Sequence, residues 1–138
     1  MAMRYDRLRA WNIAFLFSLL YGVMMEKIVE QGLLYDFYGE LLTDHQRKIY
    51  EDAVYNDLSL VEIAEEYDIS KQGVHDLLRR CTKSLEGYEA RLHMIERTDR
   101  IRKVLGSLSS AADDPGFDND KLRKMVKEAV SEITEELS

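Results

Sequence analysis

Leu58-Ser59-Leu60-Val61-Glu62-Ile63-Ala64-Glu65-Glu66-Tyr67-Asp68-Ile69-Ser70-Lys71-Gln72-Gly73-Val74-His75-Asp76-Leu77-Leu78 reads as two helices joined by a tight turn. Two helices that cross steeply need a small residue where they approach, and Ala64 supplies it. The turn needs a residue that tolerates positive φ. Glycine is usual there, and aspartate is among the few alternatives, which assigns the position to Asp68. Leu60, Ile63, Ile69, Val74 and Leu77 supply the apolar contacts that lock the pair together. Ser59 with Glu62 three residues on forms a capping box, and Ser70 caps the second helix. The start of that helix then projects Lys71, Gln72, His75 and Asp76 outward, the geometry of a DNA-reading helix-turn-helix.

Outward from this unit, the apolar spacing is helical from Met25 to the end. The expected fold class is all-α: a helical bundle with the helix-turn-helix, one long central helix and a C-terminal helix. Leu34, Phe37 or Tyr38, and Leu41 give a first helix over about 26–42, weakened by Gly32. Thr43 caps the next helix, with Gln46 in the capping-box position and Ile49, Tyr50, Ala53 and Val54 as its stripe. Asn56-Asp57 ends it. The helix opened by Ser70 is expected to run to about residue 96, and a shorter one fits 98–108. Ser109 to Gly116, with Asp113, Asp114 and Pro115, reads as a loop. A last helix from about 117 to 137 carries Leu122, Met125, Val126, Ala129, Ile133 and Leu137. The expected division is an N-terminal extension over 1–24, a helix-turn-helix domain over 25–97, and a C-terminal helical segment over 98–138.

Composition limits what such a chain does. Its 138 residues are 46% apolar and 33% charged, so it buries a core without staples and is neither disordered nor membrane-like. One cysteine excludes an internal disulfide and a Cys-based zinc site, which fits a reducing cytoplasm. A net charge of −7 opposes any coating of nucleic acid through bulk charge, so binding requires a local basic face. Residues 43–69 hold eight acids and two bases, whereas residues 70–97 hold six bases and four acids. The sign changes inside the helix-turn-helix.

The first 24 residues stand apart. Arg4, Arg7 and Arg9 precede an apolar run from Trp11 to Met25 that is too short for a membrane-spanning helix, which needs about 20 residues. Three readings remain open. They are a start codon assigned too early, an added helix that packs on the body, and a secretory signal without a small-x-small cleavage site. The first is preferred, because Met24 and Met25 sit where an ordinary chain would begin.

With Leu42-Thr43-Asp44-His45-Gln46 upstream, the helix-turn-helix is similar to region 4 of bacterial sigma factors, which carries the same unit after a "Leu-Thr-x-x-Gln" helix. A fuller pattern runs through Tyr35-Asp36-Phe37-Tyr38-Gly39-Glu40-Leu41-Leu42, Leu58 to Glu66, Ile69-Ser70-Lys71-Gln72-Gly73-Val74 and Leu85-Glu86-Gly87-Tyr88-Glu89-Ala90-Arg91-Leu92. It resembles the YlxM family of small bacterial proteins over about residues 25–95. The resemblance implies an all-helical cytoplasmic protein. Members of that family are commonly encoded beside the GTPase of the signal recognition particle, which implies a regulatory role in that pathway through contact with its RNA or its GTPase. They usually begin near the position of Met25, in keeping with an early start.

The candidate nucleic-acid-binding residues are Lys71, Gln72, His75, Arg79 and Arg80, with Gln72 able to pair bidentately with adenine. Asp76 on the same face and Glu62, Glu65 and Glu66 on the preceding helix oppose phosphate, so a purely architectural helix-turn-helix stands beside the binding one. Val74, Leu78, Cys81, Leu85, Tyr88, Leu92 and Ile95 follow heptad spacing. That stripe is either core of the same chain or a homodimer seam. The expected assembly is a homodimer with Leu85, Tyr88, Leu92 and Ile95 across the two-fold. Cys81, on the stripe, is a structural thiol. His45, His75 and His93 are too far apart for a ligand set, and no H-E-x-x-H, phosphate-cradling glycine loop or Ser/His/Asp signature occurs. Neither catalysis, a metal nor a cofactor is expected. The partners expected are DNA or signal recognition particle RNA, the particle's GTPase, and a second copy of the chain. A DNA-binding transcription regulator is the alternative function.

Overall fold

The computed structural model describes the backbone of residues 2–138 and the side chains of residues 19, 20 and 22–138. Among the described residues it has six α-helices, one 3-10 turn and no strand. The helices are α1 (Ala2–Tyr38), α2 (Asp44–Val54), α3 (Leu60–Glu66), α4 (Lys71–Leu92), α5 (Met94–Asp113) and α6 (Asn119–Leu137); the 3-10 turn is Gly39–Leu41. The all-α expectation holds. Two compact units divide the chain, Met1–Gly87 and Tyr88–Ser138. Of the extension expected over 1–24, the backbone forms the first part of α1, and the side chains of residues 1–18 and of Tyr21 lie outside the described ones. Among the described residues no helix is long and apolar enough to cross a membrane.

Local chemistry sets the helix starts in the first unit. Thr43 Oγ1 accepts from the Gln46 N–H at 3.3 Å, and Gln46 Oε1 accepts from the Thr43 N–H at 3.0 Å. Ser59 and Glu62 repeat the exchange at 3.2 and 2.7 Å. Caps of this kind stabilise a helix by about 0.5–2 kcal/mol each, because they satisfy amide donors that the helix itself leaves open. The first helix ends at Tyr38 rather than near 42, because residues 39–41 tighten into the 3-10 turn. Gly39 is buried there under the Tyr35 ring, which a Cβ would meet at 2.8 Å.

Ile49 of α2, Ile63 of α3 and Val74 of α4 are fully buried against one another, with Ala53, Leu58, Leu60, Ala64, Tyr67, Ile69, Leu77 and Leu78 packed around them. Full burial of such side chains stabilises by about 1.5–3 kcal/mol each. This cluster locks the three helices into one body. Leu34, Tyr38, Leu42, Tyr50, Cys81 and Leu85 are the other buried apolar side chains among the described residues of the unit. The Tyr35 and Tyr50 rings stack with centroids 5.5 Å apart. Three tyrosine–carboxylate bonds tie α2 to its neighbours. The Tyr35 hydroxyl donates to Glu51, the Tyr55 hydroxyl to Asp36 Oδ1 at 2.7 Å, and the Tyr67 hydroxyl to Asp52 Oδ2 at 2.6 Å.

Further boundaries differ from the sequence expectation, and α5 runs over Met94–Asp113 rather than 98–108. The long helix stops at Leu92 instead of near 96, since His93 takes a left-handed conformation with φ 53°. The new start is capped by Glu89, whose Oε2 and Oε1 accept from the Ile95 and Glu96 amides at 3.1 and 3.2 Å. The loop expected over 109–116 begins only after Asp113: Ala111 and Ala112 are strong helix formers, and Ala111 is buried. In the second unit α5 and α6 form a helical hairpin. Asp118 caps α6 by accepting the Lys121 amide at 2.9 Å, and Arg100 bridges the hairpin to Glu136 at 2.8 Å while also pairing with Glu96.

Candidate nucleic-acid interface

The turn between α3 and α4 is built as its sequence requires. Asp68 has φ 52°, and the Ile69 amide reaches back to the Ala64 carbonyl at 3.0 Å, closing α3 in a Schellman-type turn. Ala64 and Ile69 then pack into the cluster of Ile49, Ile63 and Val74. Ser70 Oγ accepts the Gly73 amide at 2.9 Å. Gly73 suits that place, since a Cβ would stand 3.0 Å from the same hydroxyl. α3 and α4 are therefore fixed in position, with the start of α4 facing out.

Lys71, Gln72, His75, Arg79 and Arg80 are all exposed on α4. Asp76, half-buried, sits among them and organises them. Its Oδ1 accepts from Gln72 Nε2 at 3.2 Å and stands 3.7 Å from Nδ1 of His75, and its carbonyl accepts from Arg80 Nε at 3.4 Å. Gln72 must leave Asp76 to pair with a base. Lys71, His75 and Arg79 follow one another at one-turn intervals on one face. Arg80 lies about 100° further round than Arg79, toward the edge of that face.

The face is basic but bordered by acid. Glu62, Glu65 and Glu66 are exposed on α3, and the Ser59 backbone and hydroxyl hold the Glu62 carboxyl below its usual range, so it stays ionised. Two cations that sequence reasoning did not select stand beside the interface. Lys83 lies one turn beyond Arg79, a spacing visible in the sequence. Lys27, on α1, lines the same groove as His75, Arg79 and Lys83, and only the packing of α1 beside α4 brings it there.

The stripe laid out as a dimer seam divides in two. Val74, Cys81 and Leu85 are buried within their own chain, and Leu85 keeps no accessible surface. Burial pushes the Cys81 thiol up, as befits a structural side chain. Beyond them Tyr88 and Ile95 are half-buried and Leu92 is 49% exposed. Ile95 belongs to α5, past the break at His93, so the stripe is not one continuous helical seam. Among the described residues no group of three or more His, Cys, Asp or Glu side chains is gathered in a way that would hold a metal.

Comparison with known proteins gives one consistent result. Residues 25–128 match the profile of UPF0122, "Putative helix-turn-helix protein, YlxM / p13 like". The chain is 43% identical over 110 residues to a UPF0122 protein of Thermoanaerobacter sp. (strain X514), covering 75% of this chain and 90% of that one. It is 48% identical over 82 residues to one of Caldanaerobacter subterraneus subsp. tengcongensis, covering 59% and 70%. To one of Bacillus cereus (strain AH187) it is 34% identical over 110 residues, covering 80% and 99%.

Proposed function

Because the chain belongs to the UPF0122 family of YlxM/p13-like helix-turn-helix proteins, we propose that it is a cytoplasmic, non-enzymatic regulatory protein that binds nucleic acid through the start of α4. The observation that carries this reading is the exposed row of Lys71, Gln72, His75 and Arg79 on a helix whose other side is locked into the core by Val74, Leu77 and Leu78. A rigidly held helix that presents polar side chains to solvent is what groove reading needs, with Gln72 exchanging its bond to Asp76 for one to a base. The resemblance to the YlxM family supports a target in the signal recognition particle pathway, the particle's RNA or its GTPase. Gln72, with its capacity for bidentate adenine pairing, supports the second reading, a DNA-binding transcription regulator. The proposal includes pairing of two chains across Tyr88, Leu92 and Ile95, the part of the stripe that retains surface.

Salt-titrated binding to duplex DNA, to the particle's RNA and to its GTPase separates these readings. Replacing Arg79 and Arg80 together with alanine is expected to weaken binding to every nucleic-acid sequence and to flatten its salt dependence by roughly one unit of slope per lost phosphate contact. Gln72→Ala is expected instead to change sequence preference. Unchanged affinity in the double arginine variant would remove this face from the site and favour an adaptor that uses the fold for protein contacts.

A further inference from the structure

Beside the reading face, α1 and α4 enclose a groove of about 510 Å³ whose walls include Lys27 and Gln31 from α1 and Arg79, Thr82, Lys83 and Glu86 from α4. Three cations and one carboxylate line it. Among the described residues Lys27, Arg79 and Lys83 form no ion pair, whereas Arg47 and Arg100 each hold two carboxylates. Like charges gathered in one concavity repel unless an anion lies between them. Hydrogen bonds hold its two walls together beside Leu78: Gln31 Nε2 donates to Thr82 Oγ1 at 3.5 Å, and the Thr82 hydroxyl lies 3.4 Å from that of Tyr50 behind it. Arg79 and Lys83 stand one turn apart, about 6 Å along the axis, and Lys27 faces them from another helix. The cations thus flank a channel, and the channel runs on from the face that carries Lys71 and His75.

We propose that this groove seats the phosphodiester backbone of the nucleic acid whose bases the start of α4 reads, with Lys27, Arg79 and Lys83 as its phosphate contacts. The inference rests on the nucleic-acid reading above and extends it to two residues outside the recognition turns. It gives an acidic chain its local point of attraction. Lys27 and Lys83 add positive charge where α3 and Asp76 subtract it, and charges on two helices fix the register of a backbone better than a row on one.

The test compares the parent with Lys27→Ala/Lys83→Ala by fluorescence anisotropy, on a duplex DNA of arbitrary sequence and on an RNA hairpin. A control, Lys121→Ala/Lys127→Ala, removes the same charge from the second unit. All four lysines are exposed, and circular dichroism checks that folding is kept. Between about 50 and 200 mM salt the groove variant is expected to lose about tenfold less affinity than the parent, since two phosphate contacts are gone. The control should keep the parent's slope, as should Lys27→Arg/Lys83→Arg. A reduced slope on the duplex alone, on the RNA alone, or on both identifies which backbone the groove holds. If the parent binds and the groove variant keeps its slope, the groove proposal is overturned while the nucleic-acid reading stands. If the parent binds neither probe, the nucleic-acid reading has failed and the groove falls with it.

Discussion

Asp68 shows how much one backbone conformation decides. Its φ of 52° lies in the left-handed region, which costs an ordinary L-residue about 1–2 kcal/mol and an aspartate less, because its short side chain bonds locally. The position lets the Ile69 amide find the Ala64 carbonyl and aims α4 away from α3. Asp68→Gly removes the Cβ strain but adds freedom to the unfolded chain, so stability should change by less than about 1 kcal/mol. Asp68→Val should lose about 1–2 kcal/mol. Urea midpoints for the two variants check this, and equal losses in both would mean that the conformation is not what matters at this site. Asp68, Ser59 and Ser70 were legible in the sequence because each acts on residues within five positions of itself. Lys27 was not, since its relation to Lys83 exists only once α1 lies along α4. The role of Asp76 was half legible: its charge was plain, but its hold on Gln72 and Arg80 depends on side-chain geometry.

Between elements, the tyrosine–carboxylate bonds carry a pH dependence with a definite sign. The Tyr67 hydroxyl is pushed up to about 12, first by its bond to Asp52 and then by burial. Tyr55 is pushed up to about 12 by burial and by Asp36, and Tyr35 is raised by burial and by Glu51. A folded-state value above the unfolded one, near 10, means that the protonated hydroxyl is favoured by folding. That stability is fully present below about pH 10 and is lost as pH rises through about 12. Thermal midpoints should therefore hold to about pH 10 and fall between about pH 10 and 12. Tyr67→Phe should start lower at neutral pH, by about 1 kcal/mol for the lost bond, and then fall less steeply than the parent. A parent-like alkaline decline in that variant would assign the effect to other groups. Helical spacing places Tyr38 and Tyr50 in the core, and both are buried. Spacing gives the face of a residue and not its partner, so Asp36, Glu51 and Asp52 read as surface charge until their tyrosines are seen. The break at His93 escaped for a similar reason: no glycine or proline marks it, and its cap, Glu89, lies on the helix that it ends.

For the molecule as a whole, a net charge of −7 set against the basic face of α4 makes a single α4 a weak binder at physiological salt. Presenting the helix twice adds the contacts of a second half-site without a second diffusional encounter, and this is how such units commonly meet DNA. The surface for pairing lies where the stripe is still open. Leu92 is 49% exposed, so covering the half that remains is worth about 0.7–1.5 kcal/mol per copy, gained twice across a two-fold, with Tyr88 and Ile95 beside it. Leu85, with no surface left, contributes through its own chain's core. The two leucines should therefore respond differently to the same substitution. Leu85→Asp places a carboxylate among buried apolar side chains and should unfold the first unit, with loss of helical circular dichroism. Leu92→Asp leaves each fold intact and charges the pairing surface, so light scattering should report a monomer of unchanged helical content where the parent is a dimer. That monomer should also bind duplex DNA with a smaller salt slope, because half of the phosphate contacts are gone. A parent that is monomeric at every concentration, or a Leu92→Asp variant that still pairs, would place the two-fold elsewhere and leave the exposed stripe without this role.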